Sequence, residues 1–195
     1  MECGKNQVAG IGRANDILWN SWAHGRPERQ ETLRKCRDLV ERALAEELPP
    51  EKARWLMQNR VPAGLALARK LDSPPRGERL ARLLAWAERL HASRVAPELP
   101  RLLVAVDSHG ERVVVLRAMG ALSTRTNDTC LRALLLFAAA GEGHNSQRVV
   151  EKFRGKLDMR VLLGLQRIAL RRDAAQKDAL ICTAAEQLSH RADDE

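Results

Sequence analysis

Aromatic residues are scarce in this chain of 195 residues, which has no Tyr, two Phe and four Trp, or 3% in all. Its core must therefore be built from Leu, Ala, Val and Ile. Cysteine is sparse as well: Cys3, Cys36, Cys130 and Cys182 stand far apart, with no CxxC pair and no His at zinc-finger spacing behind any of them. That excludes a disulfide scaffold and a zinc ribbon, and leaves reduced, buried or incidental thiols. Long apolar runs are missing too. The longest, Leu131 to Ala140, is interrupted by Arg132 and falls far short of the roughly 20 residues that span a bilayer, so no membrane span is expected. The first 25 residues scatter Glu2, Lys5, Arg13 and Asp16 among short apolar pieces, without the apolar centre of a secretory signal peptide. A cytoplasmic location is the expectation, with secretion by a route other than Sec left open.

Lysine is the rarer cation. Of 33 basic residues seven are Lys and 26 are Arg, and with 25 acidic residues the formal net charge is +8. The ratio of Arg to Lys reads as a high-GC coding bias as readily as a demand for phosphate contacts. An apolar fraction of 45% excludes a disordered or collagen-like chain. A chain of this length buries roughly 70% of its unfolded surface and needs no staple. Residues 1–27 read as a leader punctuated by Gly4, Gly10, Gly12, Gly25 and Pro27, in which only Asn15 to Trp22 suits a short helix. Residues 28–195 read as a single all-helical domain.

From Glu28 the periodicity is helical. Leu33, Cys36, Val40, Ala43, Leu44 and Leu48 recur at three- and four-residue steps on a helix that Pro49-Pro50 must stop. Pro50 suits the first position of a second helix, which Val61-Pro62 kinks or ends. A segment from Pro62 to Leu71 follows, then the loop Asp72-Ser73-Pro74-Pro75, then a helix with Leu80, Leu83, Leu84, Ala87 and Leu90 on one face. Further helices are expected at Leu99 to Val106, Glu111 to Leu122, Asp128 to Ala140, Ser146 to Phe153, Asp158 to Arg171 and Asp173 to His190, with Asp158 and Asp173 as N-caps. Val113 to Leu116 is a β-branched run, but no partner strand with alternating pattern exists elsewhere. The class is all-α, with about eight or nine helices.

The chain also echoes itself. Asp72-Ser73-Pro74-Pro75-Arg76-Gly77-Glu78-Arg79-Leu80 returns, two residues shorter, as Asp107-Ser108-His109-Gly110-Glu111-Arg112-Val113, with the two Asp 35 residues apart. Fainter copies lie at Ser146 to Val150 and Pro49 to Ala53. Periods of this size belong to helical-hairpin arrays, in which no hairpin can bury its apolar face without a neighbour. Asp in each loop can accept from freed backbone N–H groups, and Glu78 or Glu111 complements the positive end of the next helix. The segment Pro97 to Asp107, followed by Val114, Arg117, Ala118, Ala121 and Leu122, resembles a HEAT-type repeat over residues 97–123, and 66–94 resemble one loosely. The resemblance implies a stacked helical array that serves as a binding scaffold, with no catalytic residue to carry over.

Chemistry-bearing motifs are absent. Gly10-x-Gly12 lacks a preceding strand and a third Gly, and there is no GxxxxGK[ST], HExxH or GxSxG. Asp107, Ser108 and His109 are consecutive and cannot point at one another as a triad must; His144 and Ser146 sit in a Gly-flanked loop. Cys36 with His24, or Cys130 with His109, would form a nucleophile pair only if the fold brought them together. No catalytic residue, metal or cofactor is expected. Trp86 and Trp55 sit among Leu residues and read as core, and Trp19 and Trp22 as a pair docked on the helical body.

Charge is concentrated between Gln147 and Lys177, where nine basic residues face three acidic ones. The candidate binding residues are Arg148, Lys152, Arg154, Lys156, Arg160, Arg167, Arg171 and Arg172, with Arg148, Lys152 and Lys156 at i, i+4 spacing. The expectation is a non-enzymatic protein–protein interaction module, an adaptor, regulator or secreted bacterial effector, that presents a basic helical face to another protein, an acidic one by charge. The alternative is a nucleic-acid-binding protein that contacts phosphates through Arg148 to Arg172.

Overall fold

Proline and short polar caps set the helix starts. The structure, a computed structural model, describes residues 22, 24, 26–170 and 173–192. The leader up to residue 21, with Cys3 and Trp19, and the pair Arg171 and Arg172 lie outside the described residues. Within them are ten α-helices: α1 (Pro27–Ala45), α2 (Pro50–Gln58), α3 (Arg60–Lys70), α4 (Glu78–Arg89), α5 (Leu99–Ala105), α6 (His109–Ala121), α7 (Arg125–Ala140), α8 (His144–Phe153), α9 (Met159–Ala169) and α10 (Ala174–Ala192), with a 3-10 turn at Ala96–Glu98 before α5. The all-α class is as expected, and Val113 to Leu116 lies inside α6.

Pro27 and Pro50 each open a helix, where a missing N–H costs nothing. The break expected at Val61-Pro62 falls earlier, at Asn59, and the described residues hold ten helices where about eight or nine were expected. Asn59 has φ −107 and ψ 47, and its side-chain amide donates to the Trp55 carbonyl at 2.9 Å. Pro62 then sits in the first turn of α3, where no carbonyl precedes it in the helix. The Asp of the echoed loops is not the cap. Ser108 caps α6, its hydroxyl accepting from Glu111 N at 3.1 Å, and Gly77 with φ +58 occupies the cap position of α4. Asp158 and Asp173 do cap, accepting from Arg160 N at 2.8 Å and Gln176 N at 3.1 Å.

Within the span expected as one domain, the described residues group into two compact units, divided between Val95 and Ala96. In the first, α3 packs against α1, α2 and α4. Its residues Pro62 to Ala68 are all buried, so it is the apolar centre around which the amphipathic helices lie. Leu33, Leu44, Leu56, Leu80, Leu83 and Leu84 close the core, and each such side chain contributes about 1.5–3 kcal/mol on burial. Trp86 is buried, as expected, with Arg89 4.4 Å above its ring, whereas Trp55 and Trp22 are half-buried beneath Lys35 and Arg29. In the second unit α10 packs on α6 and α7, and α9 packs on α7, α5 and α8. Phe137 of α7 is the largest fully buried side chain. Asn127, wholly buried, donates from Nδ2 to the Leu122 carbonyl at 2.8 Å and so satisfies the end of α6.

Two positions carry measurable consequences. A Cβ on Gly164 of α9 would sit 2.5 Å from Cβ of Val104 in α5. Helix propensity favours Ala over Gly by about 1 kcal/mol, but the clash between two packed backbones costs about 1–3 kcal/mol. Gly164→Ala is therefore expected to lower stability in urea unfolding; a more stable Gly164→Ala chain would contradict the close crossing. His91 has φ +47 at the end of α4, where Ala92 N donates to the Ala87 carbonyl and His91 N to the Glu88 carbonyl. That is a Schellman ending with His at the place of Gly. His91→Gly is expected to raise stability by about 0.5–1 kcal/mol, which the same unfolding curves read.

Candidate functional site

Gly155 has the backbone conformation that shapes the site. Helix α8 ends at Phe153, so Lys156 does not lie on the helix that was expected to align it with Arg148 and Lys152. Gly155 instead adopts φ +76, and the chain folds back with Lys156 N and Leu157 N both donating to the Phe153 carbonyl, at 3.0 and 3.2 Å. A residue with a Cβ would be strained there. The result is that Lys152 and Lys156 each place Nζ 5.9 Å from the centre of the Phe153 ring. Phe153 itself is 5% exposed, so the two ammonium groups stand near a ring anchored in the core.

Opposite this turn lies α7. Thr124 caps it, accepting from Asn127 N at 3.1 Å. Arg125, Asp128, Thr129, Arg132, Leu135 and Leu136 follow at steps of three and four, which places them along one side of a helix. These side chains, with Thr126, Lys152, Phe153, Gly155 and Lys156, line an open groove of about 1000 Å³. Arg125, Arg132, Lys152 and Lys156 are exposed, and Leu135 and Leu136 are half-buried. Four cations meet a single carboxylate there, Asp128. None of the four cations is ion-paired among the described residues. The groove is thus a concave surface with uncompensated positive charge and an apolar lining.

Of the expected basic residues that are described, the structure brings together Lys152 and Lys156 in this groove and no others. Arg148, Arg154, Arg160 and Arg167 are exposed but do not line it. Arg154 is held by Glu151 at 3.1 Å, and Arg167 Nε donates to the Leu163 carbonyl at 3.3 Å. Arg125 and Arg132 were not among the candidates, because they lie outside the stretch from Gln147 to Lys177. The signal for them was the three- and four-residue spacing from Arg125 to Leu136.

The two buried thiols offer no nucleophile. Cys36 and Cys130 are wholly buried, and neither hydrogen-bonds a histidine. Burial pushes both thiols up to about 12, so neither supplies a thiolate at neutral pH. Among the described residues no group of three or more His, Cys, Asp or Glu could hold a metal ion, and no helix is long and apolar enough to cross a membrane. Ser146, expected in a loop, is buried in the first turn of α8 and accepts from Gln166 Nε2 at 2.8 Å.

Because the folded chain keeps the two thiol protons up to about pH 12 while the unfolded chain releases them near 9, stability is expected to fall as pH rises through that interval. Unfolding curves taken at rising alkaline pH read the slope, and Cys36→Ala/Cys130→Ala should flatten it; an equal slope in both chains would contradict the buried-thiol origin.

In comparisons with known proteins, the chain matches no family model, no curated protein and no solved structure, so any functional reading stands on the chemistry of the groove itself.

Proposed function

We propose that the chain is a non-enzymatic binding module that holds an acidic protein partner in the groove between α7 and the turn at Gly155. The observation that supports this reading is the joint presence of four exposed, unpaired cations and the Leu135–Leu136–Phe153 lining in one concavity. Unpaired cations attract an acidic partner and speed its encounter, whereas half-buried leucines lose water only against an apolar partner surface. Phosphates satisfy the first of these and leave the second unmet. A single-stranded nucleic acid is commonly met by exposed aromatic faces for its bases, and Phe153, the aromatic of the groove, is 5% exposed. The residues that line the groove include no His, Cys or Ser and one carboxylate, Asp128. A scaffold role also agrees with the hairpin of α5 and α6, which falls within the residues that resemble a HEAT unit.

The test is a salt titration of binding to a random Glu–Leu copolymer, with duplex DNA and RNA as competitors. The copolymer is expected to bind, with affinity falling as salt rises. Arg132→Glu/Lys156→Glu should weaken it about tenfold or more, and Arg167→Glu, outside the groove, should leave it unchanged. Tighter binding of DNA or RNA than of the copolymer would replace this reading with the nucleic-acid one, and equal binding by the doubly reversed chain would remove the groove.

A further inference from the structure

The walls of the groove decide what kind of peptide can lie in it. They are a helix, α7, and the end of α8 with its turn, and no strand borders it among the described residues. The backbone amides of α7 are spent on its own hydrogen bonds, so the groove has no sheet edge to which an extended peptide could add a strand. An extended segment would lay its N–H and C=O groups against Leu135, Leu136 and Phe153, which cannot pair with them. A helix meets that surface with its backbone already satisfied internally.

The charges add a spacing. Arg125 and Arg132 are seven residues apart on one side of α7, two turns or about 10.5 Å of helix axis. A second helix alongside α7 meets both when its own acidic residues recur at the same two-turn interval. Lys152 and Lys156 line the groove with Phe153, each Nζ 5.9 Å from the centre of its ring. A helix lying between the walls would therefore need carboxylates on both flanks and an apolar stripe between them.

We propose that the occupant is an amphipathic acidic helix of a partner protein, lying along α7, with its apolar stripe on Leu135, Leu136 and Phe153 and its carboxylates toward Arg125 and Arg132 on one side and Lys152 and Lys156 on the other. The proposal rests on the acidic-partner reading and adds the conformation and periodicity of what binds.

The full chain is titrated with a fluorescent peptide of about 20 residues, with Glu at seven-residue intervals flanking a Leu stripe at steps of three and four. A scrambled peptide of the same composition and a single-stranded DNA oligonucleotide are titrated beside it, and the far-ultraviolet circular dichroism of each mixture is recorded. The periodic peptide is expected to bind at least about tenfold tighter than the scramble and to gain helical signal. Arg132→Ala/Lys156→Ala, checked for an unchanged thermal melt, should weaken it about tenfold. Scrambled and periodic peptides binding equally, or binding without gain in helix, overturns the helical occupant and leaves the acidic-partner reading in place. Binding of neither peptide, or displacement of both by the oligonucleotide, overturns the two together.

Discussion

A helix whose apolar face is aliphatic gains stability only when another helix covers that face, and among the described residues no disulfide or metal cluster takes the place of that packing. The described cysteines are free, and the core is almost wholly Leu, Ala, Val and Ile. Helix pairing is therefore the constraint from which the local features follow. In the first unit α3 is buried along Pro62 to Ala68 because three amphipathic helices need a common surface. In the second, Gly164 lets α9 approach α5 more closely than any side chain would allow. The polar ends of these helices are met locally, by Ser108, Thr124, Asp158 and Asp173, and by Asn127 at the Leu122 carbonyl.

What the packing leaves uncovered is as informative as what it covers. Helix α7 buries Cys130, Leu131, Ala133, Leu134 and Phe137, and its other side carries the stripe from Arg125 to Leu136. Arginine and lysine cannot be buried without a partner, so their side of α7 remains at the surface. The proposed function takes that surface as it stands, a cationic concavity with leucines inside it, and assigns it an occupant by complementarity. Arg154, by contrast, is already held by Glu151, so its charge adds little to the attraction of a partner.

The helical class was legible because it rests on periodicity, and stripes such as Leu80, Leu83, Leu84, Ala87 survive any tertiary arrangement. Caps were legible where one side chain decides them, as at Asp158 and Asp173. They were misplaced where neighbours compete: Ser108 outcompetes Asp107, and Asn59 ends α2 ahead of the proline that marks the region. The candidate site was half legible. Lys152 and Lys156 were found from charge density along the chain, although for the wrong geometric reason. They meet through the left-handed turn at Gly155, not through a helix. Arg125 and Arg132 escaped because a groove is assembled from segments distant in sequence, and a count along the chain does not see across it. The crossing at Gly164 depends on which helix lies opposite, which no local pattern specifies.

A partner seated as proposed would cover one side of α7 and the Gly155 turn. Amide chemical shifts of the full isotope-labelled chain, followed as an acidic amphipathic peptide is added, test it residue by residue. The account predicts changes concentrated at Arg125 to Leu136 and Lys152 to Lys156. Changes concentrated on α9 or in the first unit, with these two segments silent, would contradict it.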